Sequence, residues 1–147
     1  MSRAGKLLER LKTQEELLAS TGLIFPESAA GFLFKHGNEA FLVKRLPTDE
    51  DYAGNWSTVG GNIENGESPY QTATRECMEE IGVIPDHKVV NTYTHDNGYV
   101  THLAEVNEKF KPVKLHEHSD SGWYKFDSFP QPLHPGIPAA VGSFNIL

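Results

Sequence analysis

The sequence has little of several features that would point to particular protein classes. Its single cysteine excludes an internal disulfide and fits a reducing compartment. No apolar run approaches the roughly 18 residues of a membrane span, and no signal peptide is evident, so we expect a cytoplasmic protein without a membrane partner. Basic residues are outnumbered 13 to 20 by acidic ones, for a formal net charge of −7. We therefore expect no stable nucleic-acid complex, although a small nucleotide with metal-neutralised phosphates stays compatible with this charge.

The most informative stretch runs from Gly61 to Val83, where a glycine loop leads into an acidic segment. Ser68 suits the N-cap of a helix, and Pro69 suits its first position. Gln71 stands at the capping-box distance from Ser68, and Gly82 is a natural stop. The pattern predicts a helix over about Pro69 to Ile81.

Like charges on this predicted helix stack on one another. Glu76 and Glu80 are four residues apart on one face, Glu79 flanks them, and Arg75 lies within reach of Glu79. Stacked carboxylates destabilise a helix unless a cation neutralises them, and oxygen ligands favour Mg²⁺, Mn²⁺ or Ca²⁺ over zinc. A solvated acidic face is the plainer interpretation. That interpretation does not account for the glycine pair or for the separation of Glu67 from the helix.

The same stretch resembles the Nudix box. The pattern is Gly, five residues, Glu, seven residues, Arg-Glu, an apolar residue, any residue, Glu-Glu, any residue, Gly and an apolar residue, and every fixed position is filled. Cys77 occupies the first apolar position, where an aliphatic residue is more usual, but cysteine packs as a small hydrophobe. Val59 stands where the family often has a proline before the two glycines.

The resemblance implies an α/β fold, a Nudix-type α/β/α sandwich with a mixed β-sheet, here as a single domain over residues 1–147. It also implies an Mg²⁺- or Mn²⁺-dependent pyrophosphohydrolase that splits a nucleoside diphosphate linked to a moiety X into NMP and X-phosphate. A small nucleotide is then the partner, and the chain is a monomer or a homodimer. Residues 1–22 predict an amphipathic N-terminal helix from the stripe of Leu7, Leu11 and Leu18.

The resemblance also implies the role of each box residue. We expect Glu76 and Glu80 to bind metal, with Glu79 either a third ligand or a group held by Arg75. Glu67 is expected to orient Arg75. The backbone carbonyl of Gly60 or Gly61 often joins the metal in the family, and Gly61 is our choice here.

Many relatives carry a further glutamate a few residues before an aromatic strand, where it serves as general base. Glu117 fits that position, and Asp120 is the runner-up. The flanking His116 and His118 titrate near neutrality but read more simply as surface residues. If the base lies inside the box, Glu76 or Glu79 is the next candidate.

The substrate itself is less well indicated. Tyr99 lies 16 residues after Val83, where a tyrosine loosely marks dinucleoside polyphosphate hydrolases. Tyr99, Trp56 and Trp123 are candidates to stack on a base, although aromatics more often belong to a core. ADP-ribose, other nucleotides and RNA 5′ ends remain open. So do two other classes: a noncatalytic nucleotide sensor on the same fold, and a partner-binding protein that uses its N-terminal helix.

The rest of the chain reads as strands and loops. Short segments of strand-forming residues predict strands at 29–34, 40–44, 56–59 and 122–126, and alternating polarity predicts strands at 89–95 and 99–106. Asp96-Asn97-Gly98 predicts a tight hairpin turn. Four prolines after Asp127 predict at most about one helical turn near the C-terminus.

Overall fold

The computed structural model describes residues 26–146, which form seven β-strands and two α-helices. The strands are β1 (Ala29–His36), β2 (Glu39–Arg45), β3 (Trp56–Ser57), β4 (Val59–Asn62), β5 (Lys88–Thr94), β6 (Tyr99–Glu105) and β7 (His118–Lys125). The helices are α1 (Pro69–Ile81) and α2 (Gly136–Phe144). The predicted helix within residues 1–22 lies outside the described residues. No helix within 26–146 is both long and apolar enough to cross a bilayer.

The seven strands form one mixed sheet, which confirms the predicted α/β fold. β1 pairs in parallel with β6 along its length, whereas its pairings with β2 and β4 are antiparallel. β7 adds to the free edge of β2, and β5 pairs with β6 through the predicted turn at residues 96–98. The parallel β1–β6 pair needs a long crossover, and α1 lies within that connection.

Alternating side chains on the central strands build one core on each face of the sheet. Phe32 and Phe34 of β1 point to the α1 side, and Leu33 points to the α2 side. The alternation continues in β2, where Phe41 packs with the first core and Leu42 with the second. The sheet is therefore covered by a helix on each face, as in the predicted sandwich.

The C-terminal helix is longer than the prolines suggested. α2 runs for nine residues, and Pro138 lies in its first turn. The expectation of about one turn was wrong, because a proline in the first turn removes an N–H that would have no helical partner there. Ile137, Ala140, Val141 and Phe144 are buried against the sheet.

β7 is also longer than predicted, since it begins at His118 rather than at Gly122. Its polar first half pairs with β2 from Val43 to Arg45, with a register shift between Lys44 and Arg45. Backbone pairing therefore orders a segment whose side chains carry little strand signal.

Candidate active site

Helix α1 is fixed at both ends by the residues that the sequence singled out. The Ser68 hydroxyl accepts a hydrogen bond from the Gln71 N–H (3.1 Å), and the Gln71 side chain accepts one from the Ser68 N–H (2.8 Å). Gly82 ends the helix in a left-handed conformation (φ 73°). Ala73, Cys77 and Ile81 are fully buried against the sheet. This packing sets the rotation of the helix and so the direction of its glutamates.

The glutamates of α1 meet the glycine-rich strand β4. The Gly60 N–H donates to the Glu80 carboxyl Oε2 at 3.0 Å. A Cβ atom at Gly61 would overlap the Glu76 carboxylate, so the absence of a side chain there lets the carboxylate reach the backbone. A Cβ at Gly60 would instead meet the Tyr99 hydroxyl and the Ala30 carbonyl. The glycine pair is thus needed for close packing on both faces of the strand.

Arg75 holds the outer part of the cluster together. Its guanidinium donates to Glu67 at 2.7 and 3.1 Å, to the Asn62 carbonyl at 3.0 Å and to Glu76 at 2.9 Å. Glu79 accepts a longer bond at 3.2 Å. The hydrogen bond from Arg75 lowers the pKa of Glu67 to about 2, so this carboxylate stays charged in the folded protein. This arrangement suits Glu67 as the residue that orients Arg75.

Burial makes the two inner glutamates electrostatically unusual. The Glu80 side chain is 13% exposed, and desolvation together with the negative charge of Glu76 raises its pKa to about 9. Burial also raises the pKa of Glu76 despite its contact with Arg75. A nearby positive charge would stabilise the ionised form of each carboxyl group. Groups with such perturbed pKa values cluster at functional sites.

These residues fit a hard divalent cation. Glu76 and Glu80 offer part-buried carboxyl oxygens, and oxygen ligands are those that Mg²⁺ and Ca²⁺ prefer. Within residues 26–146, no three acidic, histidine or cysteine side chains already converge on one point. Glu76 and Glu79 instead accept hydrogen bonds from Arg75.

The loop carrying Glu117 is attached to the end of α1. The Val113 N–H donates to the Ile81 carbonyl (2.8 Å), and the His116 N–H donates to the Glu80 carbonyl (2.9 Å). Glu117 follows in a left-handed conformation (φ 63°) with a side chain that is 73% exposed. Its charge contributes to the raised pKa of Glu80. The backbone therefore brings Glu117 to the glutamate cluster with a solvated carboxylate.

Asp120, the alternative base, lies elsewhere. Its carboxylate accepts the Ser121 N–H at 2.7 Å, and its charge helps to raise the pKa of Tyr124, which packs in the core on the α2 side. The geometry favours Glu117 over Asp120 for a role beside α1.

His118 is less exposed than its polar surroundings suggested. Its side chain is 6% exposed, and its Nε2 lies 3.9 Å from Glu80 Oε1. With Nδ1 assigned as the donor to the His116 carbonyl (3.0 Å), Nε2 faces Glu80 as an acceptor. Burial lowers the pKa of His118, so the ring is neutral at neutral pH. The interpretation of His118 as a surface residue was wrong. Backbone pairing of His118 with Arg45 places its side chain beside Glu80, where it is shielded from solvent.

A cavity of about 130 Å³ lies on the opposite face of the sheet, beneath α2. This is close to the roughly 150 Å³ that accommodates one benzene-sized ring. Its polar wall brings together residues of β2, β3, β6 and neighbouring loops: Arg45, Ser57, Thr58, His95, Asn97, Tyr99, Thr101 and His134. Arg45 also acts electrostatically on Glu80 and His118. This arginine therefore links the cavity to the glutamate cluster.

The three aromatic residues proposed to stack on a base have different surroundings. Trp56 is 6% exposed and packs edge-on against Tyr124, so it belongs to the core and has no face for a ligand. The Tyr99 hydroxyl lies 3.2 Å from Thr58 Oγ1, beneath the backbone of Gly60. Burial raises the pKa of Tyr99 to about 12. Tyr99 thus lines the cavity beneath α2. Of the three aromatic residues, only Trp123 is half-buried and lines a separate cavity.

Sequence reasoning missed three residues of the cavity. Arg45, His95 and His134 belong to no motif in the sequence. They meet only because α2 and the β5–β6 turn close over the same end of the sheet. The only local signal was Arg45 itself, a charged residue directly after the strand predicted at 40–44.

The chain is similar to several known proteins. A family model described as NUDIX domain matches residues 25–141. The 8-oxo-dGTP diphosphatase of Escherichia coli (strain K12) is 39% identical over 59 residues, which are 40% of this chain and 45% of that protein. The chain therefore matches about half the length of this relative.

Two further matches extend over more of the chain. The CTP pyrophosphohydrolase of Escherichia coli (strain K12) is 30% identical over 111 residues, covering 72% of this chain and 82% of that protein. The crystal structure of a MutT NUDIX hydrolase from Burkholderia pseudomallei superposes with a TM-score of 0.63 at 24% identity, covering 80% of this chain and 96% of that one. The latter match shows a shared fold.

Proposed function

The chain belongs to the NUDIX family, and from this premise we propose that it is a metal-dependent pyrophosphohydrolase. It cleaves a nucleoside diphosphate linked to a moiety X into NMP and X-phosphate. The observation that carries the proposal is the pair of part-buried glutamates, Glu76 and Glu80, which pack against a glycine strand and have raised pKa values. A cation stabilises two carboxylates placed in this way, and a bound cation attracts a polyphosphate.

Glu76 and Glu80 would hold Mg²⁺ or Mn²⁺, with the carbonyl of Gly61 and the nearby Glu79 as further ligands. When bound, the ion offsets the negative charge of the diphosphate and lowers the pKa of a water molecule. Arg75 keeps Glu76 and Glu79 oriented, and Glu67 keeps Arg75 in place through two hydrogen bonds.

Glu117 is the residue we assign to accept the proton of the attacking water. Its carboxylate is solvated, lies near Glu80 in electrostatic reach, and is carried by a loop bonded to the last turn of α1. A general base must come within hydrogen-bond reach of the water that it deprotonates, and the exposed side chain of Glu117 is free of hydrogen bonds that would oppose this within the described residues. His118 is buried beside Glu80 and helps to fix the loop.

The cavity beneath α2 is our proposed site for the nucleoside. Its volume suits one ring, and Asn97, His95 and His134 offer donors and acceptors to a base edge. Burial lowers the pKa of both histidines, so they are neutral and can recognise an uncharged base. Arg45 stands between this cavity and the glutamates, where the phosphates would pass.

Several compounds fit the moiety X. The relatives described above are an 8-oxo-dGTP diphosphatase and a CTP pyrophosphohydrolase, which favours nucleoside triphosphates, for which X-phosphate is pyrophosphate. Dinucleoside polyphosphates and ADP-ribose obey the same chemistry. An RNA 5′ end is less well supported, because the net charge of −7 disfavours a long polyanion.

The test is a panel of these compounds with Mg²⁺ or Mn²⁺, with products resolved by chromatography. We expect NMP from at least one class of compound. Binding of nucleotides without turnover of any panel member would instead support a noncatalytic sensor. If the chain neither binds nor hydrolyses any member of the panel, the proposal is overturned.

A further inference from the structure

A second, more open cavity lies on the α1 side of the sheet and is separate from the one beneath α2. It has a volume of about 560 Å³, within the roughly 300–1,000 Å³ range of small-molecule sites. Phe41, Phe110 and Trp123 form its floor, and Lys111, Lys114 and Leu115 stand at its rim. We call this cavity the Trp123 groove. Its floor is aromatic and its rim carries two lysines, and each of these features limits which ligands can bind.

The floor presents an indole ring that is already fixed in place. Trp123 Nε1 donates to the Phe110 carbonyl at 3.0 Å, which sets the ring orientation. Its ring neighbours Phe41, Phe110 and His36 meet it at 57°, 76° and 78°. Within residues 26–146, therefore, no aromatic ring lies flat on the indole. A fixed aromatic ring without a stacking partner suits a planar ligand.

The rim is basic, although the chain as a whole is acidic. Lys109, Lys111 and Lys114 occur within six residues of a chain whose net charge is −7. Lys109 is paired with Glu39, whereas neither Lys111 nor Lys114 has an ion-pair partner in the part of the chain that the structure describes. A local excess of positive charge beside an aromatic floor fits a planar ring that bears phosphate.

The Trp123 groove is continuous with the proposed catalytic loop. Leu115 lines the groove, and two residues later Glu117 turns back toward α1. On β7, Ser121 and Trp123 line the groove, and His118 at the start of the same strand touches Glu80. At about 3.3 Å per strand residue, His118 and Trp123 are roughly 16 Å apart. One extended ligand is long enough to reach both places.

We propose that the Trp123 groove binds the leaving-group half of a two-ended substrate, in which a second planar aromatic ring is joined through several phosphates to the nucleoside. The inference rests on the proposed function, because it assigns the X end of the same substrate. A dinucleoside polyphosphate has this chemistry. A nucleoside triphosphate lacks the second ring, and ADP-ribose has a sugar in its place.

A binding experiment without turnover tests the groove by itself. Titration of the full chain with AMP in EDTA, followed by tryptophan fluorescence, should show saturable quenching. Trp123→Phe should abolish the main response, because the remaining Trp56 is buried in the core. Lys111→Ala/Lys114→Ala should weaken AMP binding by about 3- to 30-fold, the combined effect of two exposed charges.

A matched control removes the same charge elsewhere. Lys35→Ala/Lys88→Ala changes two lysines that do not line the groove and should leave the AMP titration unchanged. Circular dichroism and thermal unfolding of every variant separate a local effect from misfolding. The proposal is overturned if AMP does not quench the tryptophan fluorescence of the full chain. Equal weakening by both double variants also overturns it.

Kinetics then test the link to the substrate. With Mg²⁺, Lys111→Ala/Lys114→Ala should lower kcat/KM for diadenosine tetraphosphate by the same 3- to 30-fold and leave that for ATP unchanged. Equal loss for both compounds, or loss for neither, contradicts the assignment of the groove to X. If the chain hydrolyses no member of the panel, the proposed function fails, while AMP quenching still reports on the groove.

Discussion

Replacing Glu80 by glutamine should stabilise the metal-free protein and inactivate the enzyme at the same time. The Glu80 carboxyl is 13% exposed, and burial with the nearby charge of Glu76 raises its pKa from 4.5 to about 9. The folded protein therefore holds a proton on Glu80 that the unfolded chain releases. Stability from this group is fully present below pH 4.5 and is lost as the pH rises toward 9.

The expected size follows from this difference. Between pH 4.5 and pH 7, one such group lowers the free energy of unfolding by at most about 3 kcal/mol. Partial solvent contact reduces this figure, and we expect about 1–3 kcal/mol. Glutamine keeps an oxygen that can accept from the Gly60 N–H, but it does not titrate. The variant should therefore melt about 2–10 °C above wild type at pH 7 in EDTA.

The assay is thermal unfolding of both proteins in EDTA from pH 5 to pH 9. The difference in Tm should grow with pH, and Mg²⁺ should stabilise the wild type far more than Glu80→Gln. In EDTA, Glu79→Gln is the control, since it makes the same substitution at an exposed position of the same helix. Turnover of Glu80→Gln should fall by orders of magnitude. A Tm difference that is independent of pH, or a less stable variant at pH 8 in EDTA, would refute the reasoning.

Three further predictions concern other parts of the site. Glu117→Gln should lower kcat by about 10²–10⁴-fold with little change in substrate binding, whereas Asp120→Asn should be mild; the reverse pattern in parallel assays would move the base to Asp120. Arg75→Lys loses the forked contact with its carboxylate partners and should raise the Mg²⁺ concentration for half-maximal activity by about 10- to 100-fold, so an unchanged midpoint would argue against its orienting role. Gly60→Ala places a methyl group against the Tyr99 hydroxyl and should cost about 1–3 kcal/mol in urea unfolding, and an unaltered midpoint would contradict the close packing described here.

The sequence was most informative where the determinants are local. The capping box at Ser68 and the stop at Gly82 predicted α1 with its observed bounds, because helix ends depend on residues a few positions apart. The strands predicted at 29–34 and 40–44 are confirmed as β1 and β2. The contacts of Arg75 with Glu67 and Glu79 also follow from short separations along the chain.

The parts that the sequence did not predict depend on distant segments. Trp56 became a core residue because β3 pairs with β2 and Tyr124 packs on its ring. His134 and His95 meet at one cavity only because α2 covers that end of the sheet. The burial of His118 likewise requires the pairing of β7 with β2. A sequence pattern that spans only a few residues does not indicate contacts between segments that are distant along the chain.

The most direct measurement of the central claim is the initial rate of NMP release from the best substrate of the panel, first in EDTA and then with Mg²⁺ restored. The account predicts that hydrolysis vanishes in EDTA and returns with Mg²⁺ or Mn²⁺ in the wild type. It predicts no comparable return in folded Glu76→Gln or Glu80→Gln. Full activity in chelator, or near-wild-type turnover by both variants, would contradict the assignment of the metal to these glutamates.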